Sequence, residues 1–212
     1  MKMICRLFIF LAAAVLGVNH SISLADDYDP LTFTPNGDTL IVEGVIDDRA
    51  IESFIVAINE NPNVKSLTLK YVPGSADDDY NLILSRVVRS MGLGTIIPKG
   101  GLVASGGTDL FLAGVWRKVS TNACIGVHSW DYEEDGHIIQ ATDFPKHDLV
   151  HQMYLRYFRD MGIPPAFYWY TLDAAPAADM HWMHKSELKK FNMVTEADVL
   201  PNLGTDYYCD RL

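Results

Sequence analysis

The chain has 212 residues, of which 49% are hydrophobic and 21% charged, and a formal net charge of -10. That length and composition suit one globular domain with a buried core. The acidic balance speaks against nucleic acid or an anionic membrane surface as a partner.

Residues 1–25 open with Lys2 and Arg6, run apolar from Leu7 to Val18, and end in Ser23-Leu24-Ala25. This is the pattern of a cleaved signal peptide, and its apolar run of about a dozen residues is short of the ~20 a bilayer needs. The expected product is an exported protein, periplasmic or extracellular, with no membrane span after signal removal. Its mature part, residues 26–212, is expected to form a single domain. Losing Lys2 and Arg6 takes the charge from -10 to -12. Cys5 leaves with the signal, and Cys124 and Cys209 remain, either as one disulfide or as two separate buried thiols.

In chain order, "TLIVEGVI" (Thr39 to Ile46) reads as a strand. Asp47 and Asp48 can cap a helix with Ile51, Phe54, Ile55 and Ile58 on one face. "VKSLTLKYV" is a second strand, closed by Pro73-Gly74. Tyr80, Ile83, Leu84, Val87, Val88 and Met91 mark a second amphipathic helix, and "GTIIP" a third strand. Ser105 opens a third helix, and "ACIGVH" (Ala123 to His128) is a further strand. Such alternation predicts an α/β fold with a mainly parallel sheet and covering helices, whose function collects at strand C-terminal ends. Pro73-Gly74-Ser75, the loop from Gly100 to Ser105 and His128 all fall there. An acidic hairpin around Asp135-Gly136 follows. After it comes a long helix with Val150, Met153, Tyr154, Tyr157, Phe158 and Met161 on one face, ended by Gly162. Pro164-Pro165 then starts a short aromatic helix.

Ser105 stands among small residues, in "GGLVASGGTDLFLAG", where a helix begins. It can cap that helix, or it can act as a nucleophile if a base takes its proton. His128, ending a neighbouring strand, is the candidate base. "HWMH" sets His181 and His184 three apart without a third metal ligand at supporting spacing, and the glycine-rich stretch lacks the ending of a phosphate loop. No metal and no cofactor are therefore expected.

"VASGGTDLFLAG", "ACIGVHSW" and "QATD" before a long helix resemble the proteolytic subunit of the Clp protease. The resemblance spans roughly Ile41 to Val194. It implies a Clp/crotonase-like fold with a hairpin-plus-long-helix extension, and a serine peptidase acting on a peptide or small acyl substrate. Ser105 matches the nucleophile and His128 the general base. Pro73-Gly74 matches the turn forming the oxyanion hole, with Ser75 where the family has a second glycine; the resemblance thus implies Gly74 and Gly106 as oxyanion donors. The family spacing places the orienting acid at Pro176, which carries none, so Asp173 and Asp179 both stand as candidates. In that family the hairpin and long helix join rings, which makes residues 129–161 a candidate homo-oligomer contact. Three other readings stay open. One is a silent binding or assembly protein on the same scaffold. Another is an exported peptidase resembling signal peptide peptidase A, with Lys99 or Lys118 as base. The third is a thioester enzyme of the crotonase type.

Overall fold

The computed structural model describes residues 28–196 and 201–211. The signal segment read at residues 1–25 lies outside them. Among the described residues, no helix is long and apolar enough to cross a membrane.

The chain starts with an antiparallel pair, β1 (Thr32–Asn36) and β2 (Thr39–Glu43). β2 is shorter than its apolar run because the chain turns at Gly44, with φ +113 and the carbonyl oxygen of Pro30 only 2.4 Å from where a Cβ would stand. Helix α1 (Ala50–Glu60) begins after Arg49. Neither Asp47 nor Asp48 caps it as expected. The carboxylate of Asp47 accepts instead from the backbone N–H and guanidinium of Arg49, at 2.9 and 2.8 Å.

Strand β3 (Ser66–Val72) and helix α2 (Asp78–Ser90) follow. The buried face of α2 is not the fully apolar one the spacing suggested. Tyr80, Ile83 and Met91 are exposed, while Asp78, Asn81 and Ser85 are buried beside Leu84 and Val88. Asn81 can be buried because its side-chain amide donates to the carbonyl of Gly106 at 3.1 Å.

Strand β4 (Gly94–Ile97) pairs with the first half of β3, and β5 (Leu102–Ala104) with its last two residues. The sheet therefore forks at β3. Helix α3 (Gly106–Leu112) leads to β6 (Arg117–Val119), beside β4, and β7 (Cys124–Val127), beside β5. All pairings from β2 through β7 are parallel. The hairpin β8 (Asp131–Glu134) and β9 (His137–Gln140) forms its own two-stranded sheet around Asp135-Gly136. Helix α4 (Leu149–Asp160) ends at Gly162, whose φ of +72 suits glycine. Helix α5 (Ala166–Ala174), the short antiparallel strand β10 (His181–Trp182) on β7, α6 (Lys185–Lys190) and α7 (Asp206–Cys209) complete the order.

The result is a mainly parallel α/β sheet with covering helices, as the alternation predicted. Arg117 ties the last segment to it from inside. It is 4% exposed, and its guanidinium donates to the carbonyls of Met193 (2.8 Å), Asn192 (2.9 Å) and Gly114 (3.0 Å). Burial lowers its pKa to about 10. Cys124 and Cys209 form a disulfide that pins the C-terminal tail to β7.

Candidate active site

Strands β3, β5 and β7 are parallel neighbours, with Val72 opposite Val103 and Ala104 opposite Gly126. Their C-terminal ends lead into Ser75, Ser105 and His128, so three loops distant in sequence meet at one sheet end.

Ser105 has φ 51 and ψ -128, a conformation non-glycine residues seldom adopt. It is the residue before α3, yet its side chain makes no capping bond. Its N–H donates to the carbonyl of Gly126 at 3.1 Å, extending the β5–β7 ladder by one rung. The following glycines have steric reasons. A Cβ on Gly106 would stand 2.3 Å from Ser75 Oγ, and one on Gly107 would stand 2.0 Å from the carbonyl oxygen of Val72. Both side chains must be absent for α3 to sit against the end of β3.

Ser105 and His128 line one cavity, together with Gly106, Asp78, Asp109 and an aromatic wall that includes Trp130, Tyr154 and Tyr168. The Nδ1–H of His128 donates to the carbonyl of Ala177 at 3.1 Å. A carbonyl can only accept, so the hydrogen belongs on Nδ1 and the Nε2 lone pair is available. Burial lowers the His128 pKa, opposed by the Ala177 bond and the charge of Asp78. The ring is therefore neutral at ordinary pH.

The stretch implied to hold the orienting acid does pass the ring, but it presents main chain. The Ala177 carbonyl occupies the Nδ1 position, and Ser129 N–H donates to the carbonyl of Ala175 at 2.8 Å. Asp173, at the end of α5, is exposed. Asp179 is exposed too, its Oδ1 accepting from the N–H of Met180 at 2.8 Å. Neither carboxylate is the partner of His128.

At the Gly74 turn, Ile46 N–H donates to the Gly74 carbonyl (3.0 Å) and Ala76 N–H to the Ile46 carbonyl (2.7 Å). Ser75 is bridged to Ile46 in parallel sense. In extended backbone the N–H and C=O of one residue share a side. Gly74 thus turns its groups toward Ile46, and Ser75 turns its own toward β5 and Ser105. Gly106 lies in the first turn of α3, where N–H groups have no intrahelical partner.

Two acids at the site escaped the sequence reading. Asp78 is 7% exposed and accepts from Ser75 Oγ at 2.5 Å and Tyr154 OH at 2.7 Å. Burial raises its pKa against the opposing pull of those bonds and of His128. Asp109, one turn past Ser105, keeps some surface open to the cavity, yet protein crowds its carboxyl. Burial, then the charge of Asp78, raises its pKa well above the usual range. The available signals were local, at Ser75 plus three and Ser105 plus four.

Tyr154 stacks on Tyr168 at 5.2 Å and on Trp130 at 5.9 Å between ring centres. Trp130 Nε1–H donates to Tyr168 OH (3.1 Å), which lies 2.7 Å from His151 Nδ1. Each polar tip of the wall thus has a partner. His181, from the HWMH pair, faces Glu187 at 3.1 Å.

No family model matches the chain, and no curated protein matches it. Solved structures do. One is a mutant of a membrane-bound stomatin-specific protease in complex with a substrate peptide, at 15% identity, covering 75% of this chain and 69% of that one, TM-score 0.46. Another is the ClpP protease catalytic domain from Plasmodium falciparum, at 15% identity, covering 76% and 86%, TM-score 0.45. A third is an enoyl-CoA hydratase from Mycobacterium marinum, at 15% identity, covering 86% and 81%, TM-score 0.45. Proteases and hydratases thus occur together among the similar structures, and the chemistry is read from the residues themselves.

Proposed function

We propose that the chain is an exported serine hydrolase, a peptidase in its natural role, with Ser105 as nucleophile and His128 as general base. The observation that carries this reading is one cavity lined by a serine in strained backbone and by a neutral histidine whose Nδ1–H is fixed. Nε2 takes the Ser105 proton as Oγ attacks an amide or ester carbonyl, then returns it to the leaving group. The N–H of Gly106 receives the developing oxyanion. For the second donor, the backbone directions favour Ser75 N–H over the Gly74 N–H implied by the family resemblance. Among the described residues no carboxylate takes the Nδ1 position, which the Ala177 carbonyl holds, so the proposed site works as a dyad with a main-chain orienter.

A fluorophosphonate probe is expected to label the wild type at Ser105, and hydrolysis of activated esters and peptides is expected to stop in Ser105→Ala. Unlabelled wild type, or hydrolysis that survives the substitution, would overturn the proposal. A second reading, a silent binding or assembly protein, draws on the outward-facing Asp173 and Asp179. It expects no labelling, and the same captured partner for wild type and Ser105→Ala.

A further inference from the structure

The cavity beside Ser105 is a pocket with its own chemistry. Asp109 lies in the first turn of α3, four residues after Ser105, and its N–H donates to the Ser105 carbonyl at 3.4 Å. Asp78 enters from α2 on the other side. No lysine or arginine is among the described residues lining the space, and the charge of Asp78 acts on Asp109 there. Asp78 has two hydrogen-bond donors in Ser75 and Tyr154. Asp109 has none on its carboxyl among the described residues; Tyr157 OH donates only to its backbone carbonyl. The rings of Trp130, Tyr154, Phe158 and Tyr168 line the same cavity.

We propose that this pocket selects a lysine-like side chain, seating its ammonium group on Asp109 and Asp78 while the adjoining carbonyl meets Ser105. The assignment rests on the hydrolase reading above for its position next to the nucleophile. An ammonium group carries three donors, which match the open carboxyl of Asp109. Aromatic faces along the way attract a cation and cover an alkyl stem. Size bears on the class: the cavity holds about 40 Å³. That admits an unbranched chain of a few heavy atoms and disfavours an indole or a guanidinium fork. The raised pKa of both acids fits a pair awaiting a counter-ion, which would let them ionise. At longer range, the chain's net charge of -10 attracts cationic peptides.

The test is calorimetric titration of Ser105→Ala protein, which removes turnover from the measurement. Nα-acetyl-lysine methylamide should bind at least tenfold tighter than the norleucine derivative, and tighter than the arginine one. Adding Asp109→Asn should erase most of the lysine preference, with a cooperative melt showing that the double variant is folded. Asp109→Ser serves if the asparagine form does not fold. Equal or weaker binding of the lysine derivative, no binding of any ligand, or a preference that survives loss of Asp109 would overturn the assignment. Failure of the hydrolase reading is seen separately, as unlabelled Ser105 in the wild type.

Discussion

Replacing Gly107 by alanine sets two effects of opposite sign against each other. Alanine favours a helix interior over glycine by about 1 kcal/mol, so propensity alone forecasts a more stable protein. The new methyl group, however, would lie 2.0 Å from the carbonyl oxygen of Val72 and 2.9 Å from its carbon. The obstacle is backbone at the end of β3, a strand hydrogen-bonded on both sides, and cannot rotate away as a side chain could. Overpacking costs about 1–3 kcal/mol, and a rigid obstacle places this case near the upper end. The net loss is then about 2 kcal/mol. At roughly 2–4 °C per kcal/mol for a domain of this size, Tm should fall by about 4–8 °C. Differential scanning calorimetry of both proteins reads this directly. Gly106→Ala is the contrasting case: its obstacle is the side chain of Ser75, at 2.3 Å, so it should lose less stability and more activity. A Gly107→Ala protein melting at or above the wild type would refute the close seating of α3 on β3.

Three further outcomes follow from the same geometry. The proposed hydrolysis would need neutral His128, whose pKa burial lowers; kcat/KM should therefore rise with pH through a midpoint below the ~6.5 of an ordinary histidine, and a midpoint above that value would contradict it. Asp109 has a raised folded-state pKa, so its favourable contribution is present below its unfolded pKa of about 3.9 and is lost as pH rises through the folded value. Asp109→Asn should accordingly match the wild-type Tm near pH 3.5 and exceed it increasingly above, whereas a constant offset across pH would count against the crowded carboxyl. The Cys124–Cys209 bridge spans 85 residues, for which loop-closure entropy gives about 4.5 kcal/mol; a reductant should lower Tm by roughly 9–18 °C, and an unchanged melt with free thiols would show that the bridge contributes little.

The strand–helix alternation was legible because long elements repeat their pattern often enough to show a period. α4 is the clear case: Tyr154, Tyr157, Phe158 and Met161 from the expected face are all buried. Its end at Gly162 was legible too, as was the hairpin turn at Asp135-Gly136, since both need backbone that glycine supplies. Short elements carry too few residues to show a period, which is why β5 and β6, at three residues each, went unread. α2 shows a different failure. Its core side carries Asp78, Asn81 and Ser85, whose burial is made tolerable by partners on other elements. A pattern reading counts polarity and cannot see those partners, so it turned the helix toward Tyr80 and Ile83. At the site, Ser105 and His128 announced themselves through residue type and neighbours. Asp78, Asp109 and the Ala177 carbonyl depend on which loops meet, and that is a property of the folded chain.

The contact between His128 and Ala177 has a consequence for how such a site can change over time. An orienting aspartate is a side chain, lost through a single codon. A peptide oxygen is supplied by whatever amino acid occupies position 177, so substitution there leaves the tether intact provided the loop keeps its path. The vulnerability moves from the identity of one residue to the course of a segment. Insertions or deletions between Ala175 and Asp179 are what would release the imidazole, and swapping letters within it would not.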